Sequence, residues 1–419
     1  MKILWFTSTP SNASLEFGNT YFGAGWISAL ETIVAGANKH QLGICFIYNG
    51  TEYKKIIKNN VVYYGIPIRK KNGIKRIMER QLGRLEDEFT SALYDEVIAD
   101  FKPEVIHVFG TENGYGKILQ HKFDKVVFHL QGLVAPIAEM YFPSNISKLQ
   151  TVIHDKLTNI LRGLTFFHFY TIFNSGVKRE LAVLKHWKYF SGRTDYDRNY
   201  VKLFHPAAHY FHCDELLRPE FFTATWSPEY LVKNGKQKIC IGTTINPNIY
   251  KGLDLIYRVL PLLTDYDITW NIFGVVEDNV LNNLVKKVLK INQPNPSIEF
   301  HGQLTAVDLV AKLKTCHFFV HTSYIDNSPN SVCEAMLIGM PVLSSSVGGV
   351  KSLITNKENG FLFNPQDKYD LAGLIAHLIN NFDEALRCAS KARADALARH
   401  NPNTILEAVN NMYMAIQQQ

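Results

Sequence analysis

Short apolar runs that alternate with helical stretches constrain the fold of this chain more than any other feature. The stretch 26–35 has helical spacing and is followed by Gly36. Strand-like runs of the first half cover residues 2–6, 42–48, 61–68, 105–109 and 126–130. This βαβα order predicts a mostly parallel sheet covered by helices.

The second half repeats the alternation. Strand-like runs cover residues 238–242, 268–273, 298–300, 318–321 and 341–344, and helical stretches cover 253–263, 306–313, 330–338 and 404–416. Residues 213–237 contain Pro219, Pro228 and Asn234-Gly235, which are typical of a linker. The sequence therefore predicts an α/β protein with two facing Rossmann-like domains, 1–220 and 238–400, whose ligands bind in a deep cleft beyond the carboxyl ends of the strands.

Composition narrows the class of protein. A chain of 419 residues that is 46% hydrophobic can bury a core in each of two or three domains, which excludes global disorder. A net charge of +6 and a pI near 8.8 do not favour a nucleic-acid partner. The six cysteines are scattered without a CxxC pair, as expected of core thiols in a reducing cytosol rather than of a metal site. With no signal peptide and no apolar run near the ~20 residues that span a bilayer, we expect a cytoplasmic protein.

The segment from His321 to Gly349 carries the most information about function. Ser328 suits the N-cap of a helix, Pro329 its first position, and Gly339 its end. The free N–H groups at such a helix start favour a diphosphate, and the polar residues there are Asn327, Ser328, Asn330 and Ser331.

Two acids flank this predicted anion site. Asp326 precedes the helix and Glu334 lies about one turn inside it. Carboxylates beside a phosphate are unfavourable unless they accept bonds from sugar hydroxyls. The alternative is a turn-forming Asp326 and a solvated Glu334. The apolar neighbours Cys333, Ala335 and Met336 argue against that alternative, because a buried acid needs a partner.

The segment resembles the GT-B glycosyltransferases of the retaining family 4 type. The carrying features are Asp326 and Glu334 separated by seven residues, the run 339–342 (Gly-Met-Pro-Val) and the pair Gly348-Gly349. The resemblance implies that Glu334 binds the ribose hydroxyls of a nucleotide sugar and Asp326 the hydroxyls of the donor sugar. The family usually has Glu at the first position, so Asp326 is one methylene shorter. The resemblance also implies that the closing helix, 401–419, packs back on the first domain.

Other positions match the family in the second domain. Lys251 matches a lysine that neutralises the leaving diphosphate, and Gly274 a glycine that lines the nucleotide pocket. Thr243 stands where the family usually has arginine. Either Thr243 and Thr244 donate hydroxyl bonds instead, or another base such as Arg193 serves.

The first domain offers a glycine loop and a histidine. Gly23 and Gly25 open a helix, and the resemblance implies contact with donor phosphate or acceptor. A dinucleotide site is disfavoured because Ser28 replaces the third glycine and no acid follows the second strand. His129 ends a strand and can bind a sugar hydroxyl, or it is a core histidine.

Residues 51–80 are strongly basic. The candidates for contact with an acceptor or a membrane are Arg69, Lys70, Lys71, Lys75, Arg76 and, elsewhere, Arg193. The basic stretch favours an anionic lipid surface or a lipid-diphosphate acceptor, with a solvated helix as the alternative. The aromatic and basic stretch 162–189 could add an amphipathic face.

Together these features predict a metal-independent hexosyltransferase that retains anomeric configuration and needs no cofactor. The donor is a UDP or GDP sugar, and Lys251, Asp326 and His129 are the catalytic candidates. The acceptor is a surface polysaccharide, such as lipopolysaccharide or capsule, or a lipid-linked glycan at the inner face of the membrane. A GT-B nucleotide-sugar epimerase and an inactive sugar-nucleotide binding module remain the alternatives.

Overall fold

The computed structural model describes residues 1–18, 25–67, 73–83, 91–120, 122–227, 231–233 and 236–419. The strands are β1 (Lys2–Thr7), β2 (Gln41–Tyr48), β3 (Lys54–Lys58), β4 (Val61–Pro67), β5 (Val105–Phe109), β6 (Val126–His129), β7 (Tyr189–Gly192), β8 (His209–His212), β9 (Leu231–Lys233), β10 (Lys236–Thr244), β11 (Asp267–Phe273), β12 (Ile298–Gly302), β13 (Phe318–His321), β14 (Val342–Ser345) and β15 (Phe361–Phe363). The helices are α1 (Gly25–Gly36), α2 (Gly73–Gln81), α3 (Ser91–Phe101), α4 (Tyr115–Leu119), α5 (Val134–Glu139), α6 (Gln150–Ile153), α7 (Leu157–Arg162), α8 (Phe166–His186), α9 (Asp195–Phe204), α10 (Pro219–Thr223), α11 (Leu253–Val259), α12 (Val280–Val288), α13 (Ala306–Leu313), α14 (Asn330–Ile338), α15 (Lys368–Asn380), α16 (Phe382–Arg399) and α17 (Pro402–Gln418).

The chain divides into two compact units. Unit 1 comprises Met1–Ala135, Thr171–Leu216 and His400–Gln419, and unit 2 comprises Pro136–Tyr170 and Leu217–Arg399. Each unit contains a largely parallel sheet, so the predicted α/β class is confirmed.

The sheet of unit 1 runs in the order β3-β4-β2-β1-β5-β6-β7-β8, and its pairs are parallel except β3 with β4. The inner strands are short and apolar because helices cover both faces of such a sheet. All five residues of β5 and all four of β6 are buried.

Helix α17 is anchored to the sheet of unit 1. The Tyr413 hydroxyl accepts a hydrogen bond of 2.9 Å from Nε1 of Trp5 and lies 2.8 Å from Nδ1 of His107. All three side chains are buried. Because a buried polar group needs a partner, these bonds fix how the last helix covers β1 and β5.

The sheet of unit 2 runs in the order β12-β11-β10-β13-β14-β15, with β9 antiparallel to β10. The central strands β10 and β13 are parallel neighbours, with Ile241 opposite Phe318. Their carboxyl ends, at Thr244 and His321, therefore lie side by side.

Residues 136–170 group with unit 2, whereas the sequence alone places them in a first domain that spans 1–220. Tyr141 packs on Tyr250 with ring centroids 5.6 Å apart, and Nζ of Lys287 donates a 2.6 Å bond to the carbonyl of His154. These contacts join residues far apart in sequence, which is why pattern alone did not assign the segment.

The predicted linker, 213–237, holds ordered structure of its own. It contains α10 and the start of β10. Phe221 of α10 is fully buried, and Nε1 of Trp226 donates a 2.7 Å bond to the carbonyl of Cys316. None of the described helices is both long and apolar enough to cross a bilayer.

Candidate functional site

Lys251 lies at the carboxyl ends of β10 and β13, where the backbone leaves little room. It ends a short 3₁₀ helix, Ile249–Lys251, and Gly252 follows with φ of +76°. A Cβ at Gly252 would lie 2.0 Å from the carbonyl oxygen of Thr322, so this close approach requires glycine. Oγ1 of Thr322 also donates a 2.8 Å bond to the carbonyl of Lys251, which fixes Lys251 beside the end of β13.

Three charged or titratable side chains meet at this point. Nζ of Lys251 lies 2.6 Å from Oδ2 of Asp326, and Nε2 of His321 lies 3.1 Å from the same oxygen. Burial alone would raise the pKa of Asp326, but Lys251 and His321 hold that pKa well below its usual range. Asp326 is therefore an ionised acceptor.

The hydrogen bonds of His321 assign its tautomer. Because a carboxylate only accepts, Nε2 carries the proton toward Asp326, and Nδ1 faces Oγ of Ser344 at 2.9 Å. Burial lowers the pKa of His321, and Asp326 offsets only part of that shift. The ring is therefore neutral near pH 7 and orients the Asp326 carboxylate.

The pair Gly348-Gly349 positions Asp326. Gly348 has φ of +46°, and a Cβ there would lie 2.0 Å from the carbonyl oxygen of Asp326. The N–H of Gly349 donates a 3.1 Å bond to that carbonyl, and the N–H of Asn327 lies 3.2 Å from Oδ1 of the side chain. The Gly-Gly pair thus serves the loop that carries the acid.

Helix α14 covers the predicted stretch 330–338, but Pro329 does not take the first helical position that its residue type predicts. Pro329 occupies the N-cap position, with ψ of 109°, and α14 starts at Asn330 without a side-chain cap. The extended ψ keeps Pro329 outside the helix, although its carbonyl already accepts from the N–H of Val332 at 3.0 Å. The predicted end at Gly339 is confirmed by its φ of +84°.

The residues around this helix start differ in burial. Asn327 and Ser328 are buried, whereas Asn330 and Ser331 are half-buried. All four lie within five residues of Asp326. Their role as donor ligands stays a prediction.

Glu334 has the partner that its burial requires, and the partner is Arg218. Nε and Nη2 of Arg218 donate to the two carboxylate oxygens at 2.8 and 2.9 Å, a bidentate pair. Burial would lower the pKa of Arg218, but Glu334 raises it above its usual value. This bidentate pair holds the Glu334 carboxylate in one orientation.

The two threonines predicted to replace the family arginine are not equivalent. Oγ1 of Thr243 donates to the carbonyl of Val320 and accepts from Nε1 of Trp270, both at 2.8 Å, and Thr243 is buried. The Thr243 hydroxyl is therefore engaged within the sheet, and its predicted role in phosphate binding stays a prediction. Oγ1 of Thr244 is buried and has no hydrogen-bond partner among the described residues.

Gly274 is required by its own backbone. It follows β11 with φ of +102°, and a Cβ there would lie 2.3 Å from the carbonyl oxygen of Ile245. This crowding explains the glycine without any ligand. Its predicted place in a nucleotide pocket stays a prediction.

In unit 1, His129 lies inside an aromatic cluster. Its ring is fully buried, 5.0 Å from that of Trp26 and 5.7 Å from that of Phe109. Nδ1 lies 3.0 Å from Oγ of Ser191, and Nε2 has no hydrogen-bond partner among the described residues. Burial lowers the pKa of His129 well below its usual value, and His107 lowers it further. The ring is thus neutral and held by the core.

Arg193 belongs to the same cluster. Its guanidinium lies 5.3 Å from the centroid of the Trp26 ring, and Nη1 lies 3.8 Å from a carboxylate oxygen of Glu215. Arg193 is thus a buried residue of unit 1, placed there by an aromatic ring and an acid.

The predicted basic surface is only partly described. Gly23, Arg69, Lys70 and Lys71 lie outside the described residues. Gly25 is the first residue of α1, and Lys75 and Arg76 are exposed on α2.

Some bases of the stretch 51–80 have acidic partners. Nζ of Lys55 lies 2.5 Å from a carboxylate oxygen of Asp100, and Nζ of Lys58 lies 2.8 Å from one of Glu16. The excess of positive charge on β3 is therefore smaller than composition suggests.

Sequence reasoning missed His321 and Arg218. His321 ends a strand, the same signal that singled out His129, so it could have been found. Arg218 lies 116 residues before Glu334 in the chain, and no sequence signal connects them.

A family comparison identifies the segment that carries these residues. The family described as glycosyl transferases group 1 matches residues 224–395. This segment belongs to that family. Lys251, His321, Asp326 and Glu334 lie inside the group 1 segment, whereas Arg218 precedes it.

Curated relatives match parts of the chain. A Haemophilus influenzae glycosyltransferase is 29% identical over 34% of this chain and 40% of its own length. The poly(ribitol-phosphate) alpha-N-acetylglucosaminyltransferase of Staphylococcus aureus is 25% identical over 39% and 33%. The N,N'-diacetylbacillosaminyl-diphospho-undecaprenol alpha-1,3-N-acetylgalactosaminyltransferase of Campylobacter jejuni is 30% identical over 25% and 28%. The matches thus span only about a third of the relatives' length.

Solved structures match nearly the whole chain. Sucrose-phosphate synthase of Thermosynechococcus elongatus has a TM-score of 0.71 at 14% identity and covers 99% of both chains. Anabaena HepE in complex with UDP-glucose has a TM-score of 0.63 at 13% identity, over 99% of this chain and 100% of its own. The predicted GT-B fold is confirmed.

Proposed function

We propose that this chain transfers a sugar from a nucleotide-diphosphate donor to an acceptor hydroxyl, with retention of anomeric configuration. The observation that carries the proposal is the cluster of Lys251, Asp326 and His321, which stands beside the start of α14 in the group 1 segment. One cation, one oriented carboxylate and the positive end of a helix dipole suit a diphosphate with a sugar attached.

Lys251 is the proposed partner of the leaving diphosphate. Its Nζ is only part-buried and makes one 2.6 Å contact with Asp326, so an ammonium with three protons retains donors for phosphate. Charge that develops on the leaving group is stabilised there and at the N-terminus of α14. We propose that this electrostatic stabilisation replaces a metal ion.

Asp326 and Glu334 are the proposed hydroxyl acceptors, for the donor sugar and the ribose respectively. Each is held by a cation within unit 2, Asp326 by Lys251 and Glu334 by Arg218. A carboxylate whose orientation is fixed before substrate arrives loses less entropy on binding.

The acceptor attacks from the leaving-group face in this proposal, which gives retention. The named relatives support the substrate classes. HepE was solved with UDP-glucose, and the S. aureus and C. jejuni enzymes are named for a polymeric and a lipid-diphosphate acceptor. We propose a UDP or GDP sugar as donor and a surface polysaccharide or lipid-linked glycan as acceptor, at the inner face of the membrane.

A donor-binding experiment tests the ribose assignment. Calorimetry with UDP and GDP should show binding to the wild type and loss of at least about tenfold in affinity for Glu334→Gln, which keeps the shape of the side chain but removes its charge. Glu299→Gln, an exposed acid of the same unit, is the matched control. Equal affinity in wild type and Glu334→Gln would contradict the assignment.

The reaction is tested by product mass. Purified protein is incubated with a panel of UDP and GDP sugars and a membrane lipid extract. Sugar on lipid or glycan supports the transferase. An isomerised donor supports the epimerase, and binding without turnover supports the inactive module.

A further inference from the structure

Large aliphatic side chains are exposed in pairs on α7 and on α6 with its N-cap residue, Leu149, in unit 2. Leu149 and Ile153 are 67% and 59% exposed, and Leu157 and Leu161 are 69% and 64% exposed. Each pair is spaced by four residues, so its members lie on one face of a helical turn. Soluble proteins rarely leave four such residues within thirteen positions in water without a function.

A basic groove lies beside these helices. It has a volume of about 700 Å³ and is lined by residues 151–166 on one side and by α12 and the residues next to it on the other. Lys156, Lys286, Lys287 and Lys290 line it, against Asp155 and Asp278.

Two of these lysines have partners within the protein. Nζ of Lys287 donates to the carbonyl of His154, and Nζ of Lys286 lies 3.0 Å from a carboxylate oxygen of Glu277. Lys156 and Lys290 are exposed. Lys148 and Arg162 add exposed bases at the two ends of the aliphatic segment.

We infer that the surface formed by α6, α7 and the adjoining basic groove docks on an anionic lipid bilayer. Aliphatic side chains flanked by lysines are what an interfacial amphipathic segment presents, because the apolar groups enter the acyl boundary while the ammonium groups meet lipid phosphates. Long lysine stems allow this arrangement, since the charge reaches water or headgroups while the stem stays apolar. A protein interface would instead be rich in aromatic residues and poor in lysine.

The surface deepens the proposed function and rests on it, since a lipid-linked acceptor brings the enzyme to a membrane. It belongs to unit 2, whereas α2 belongs to unit 1 and has Ile74 and Met78 70% and 57% exposed beside Lys75 and Arg76. The basic stretch of the sequence, residues 51–80, includes most of α2 but none of α6 or α7. Docking through α6 and α7 is therefore a distinct prediction about unit 2.

Co-sedimentation of the full chain with vesicles tests the docking. We compare phosphatidylcholine vesicles with vesicles that also contain phosphatidylglycerol, at low and high salt. The wild type should sediment with the anionic vesicles, less so at high salt. The double variant Leu157→Glu/Leu161→Glu should partition at least about tenfold more weakly.

Controls separate this surface from others. Val307→Glu changes a valine of α13 that is 64% exposed in the same unit and should leave partitioning unchanged. Ile74→Glu/Met78→Glu removes the apolar groups of α2. If only the α2 variant loses vesicle binding, or if the wild type does not bind anionic vesicles, the inference is overturned.

Two further readouts keep the outcomes distinct. UDP and GDP binding by calorimetry should be the same for wild type and Leu157→Glu/Leu161→Glu, which shows that the variant folds. Vesicle binding without nucleotide binding would overturn the proposed function and leave the docking surface standing. Light scattering that shows a wild-type dimer and a monomeric variant would make the surface a self-association face and overturn the docking.

Discussion

The carboxyl ends of the two sheets carry polar groups in opposite states. In unit 2, the Lys251 and Asp326 side chains are charged and 19% and 17% exposed. In unit 1, His129 at the carboxyl end of β6 and His107 in the middle of the neighbouring strand β5 are fully buried among aromatic rings. The first end can meet a substrate with its charge intact, whereas the second presents neutral rings held by packing.

Burial affects the polar groups of both sheets, and the charges beside each group decide which protonation state it takes. Burial disfavours the charged form of any group. Asp326 overcomes this because Lys251 and His321 contact the same oxygen, so its pKa falls below the usual range. Among the described residues His107 has no such acid beside it, and burial lowers its pKa to about 3. A site for anionic substrates therefore needs charges that compensate one another inside the protein.

The largest expected effect on activity comes from removing the charge of Lys251. Lys251→Ala should lower turnover by on the order of 10²-fold, because it removes the cation proposed to stabilise the leaving group. Steady-state rates with the donor identified by the panel measure this. Lys314→Ala, an exposed lysine after α13, is the control and should keep wild-type turnover.

The pKa of His321 provides a second test of the role of Lys251. Lys251 lowers the pKa of His321, so the pKa of that histidine should rise in Lys251→Ala and the pH profile of residual activity should shift upward. Turnover in Lys251→Ala within threefold of the wild type would show that Lys251 does not stabilise leaving-group charge.

The neutral histidines of unit 1 should make the free energy of unfolding depend on pH. His107 and His129 have depressed pKa values in the fold, against about 6.5 in the unfolded chain. Below pH 6.5 the unfolded chain binds more protons than the folded protein does. The free energy of unfolding therefore falls as the pH is lowered, by up to about 1.4 kcal/mol per pH unit for each histidine. The stability is present above pH 6.5 and is lost toward pH 4.5.

A carboxyl of the same unit works in the opposite direction. Burial raises the pKa of Glu112 to about 7, so its protonation in the fold offsets the loss from one histidine over the same window. Urea unfolding of wild type and His107→Gln/His129→Gln between pH 7 and 4.5 isolates the two rings. The wild type should lose stability as the pH is lowered, whereas the double variant, in which Glu112 remains, should not. His186→Gln, an exposed histidine at the end of α8, should follow the wild type, and a parallel curve for the double variant would show that the rings titrate normally.

The sequence predicts what depends on nearby residues. Alternation of short strands with helices places Asp326 and Glu334 correctly near the start of α14, and Gly339 ends that helix as expected. The cations that pair with these acids are distant in sequence, since Arg218 precedes Glu334 by 116 residues and Lys251 precedes Asp326 by 75. The resemblance singled out Lys251, whereas no pattern could reveal Arg218, because its position follows from how α10 packs within unit 2.

The sequence pattern also does not show to which face of the sheet a side chain at the end of a strand points. Thr243 and Thr244 are consecutive in β10, and neighbouring residues of a strand point to opposite faces. From sequence both hydroxyls were equal candidates for phosphate. Only the structure shows that Trp270 and Val320 already use the hydroxyl of Thr243.

The smallest expected effect is the one that separates these two threonines. Thr243→Val keeps the shape of the side chain but leaves Nε1 of Trp270 and the carbonyl of Val320 without their partner, so the free energy of unfolding should fall by about 1–2 kcal/mol while UDP affinity stays unchanged. Thr244→Val removes a hydroxyl with no partner among the described residues, so stability should hold and donor affinity should fall about threefold to tenfold. Thr315→Val, an exposed threonine of unit 2, should change neither quantity. Loss of donor affinity in Thr243→Val rather than in Thr244→Val would return the phosphate role to the position of the family arginine.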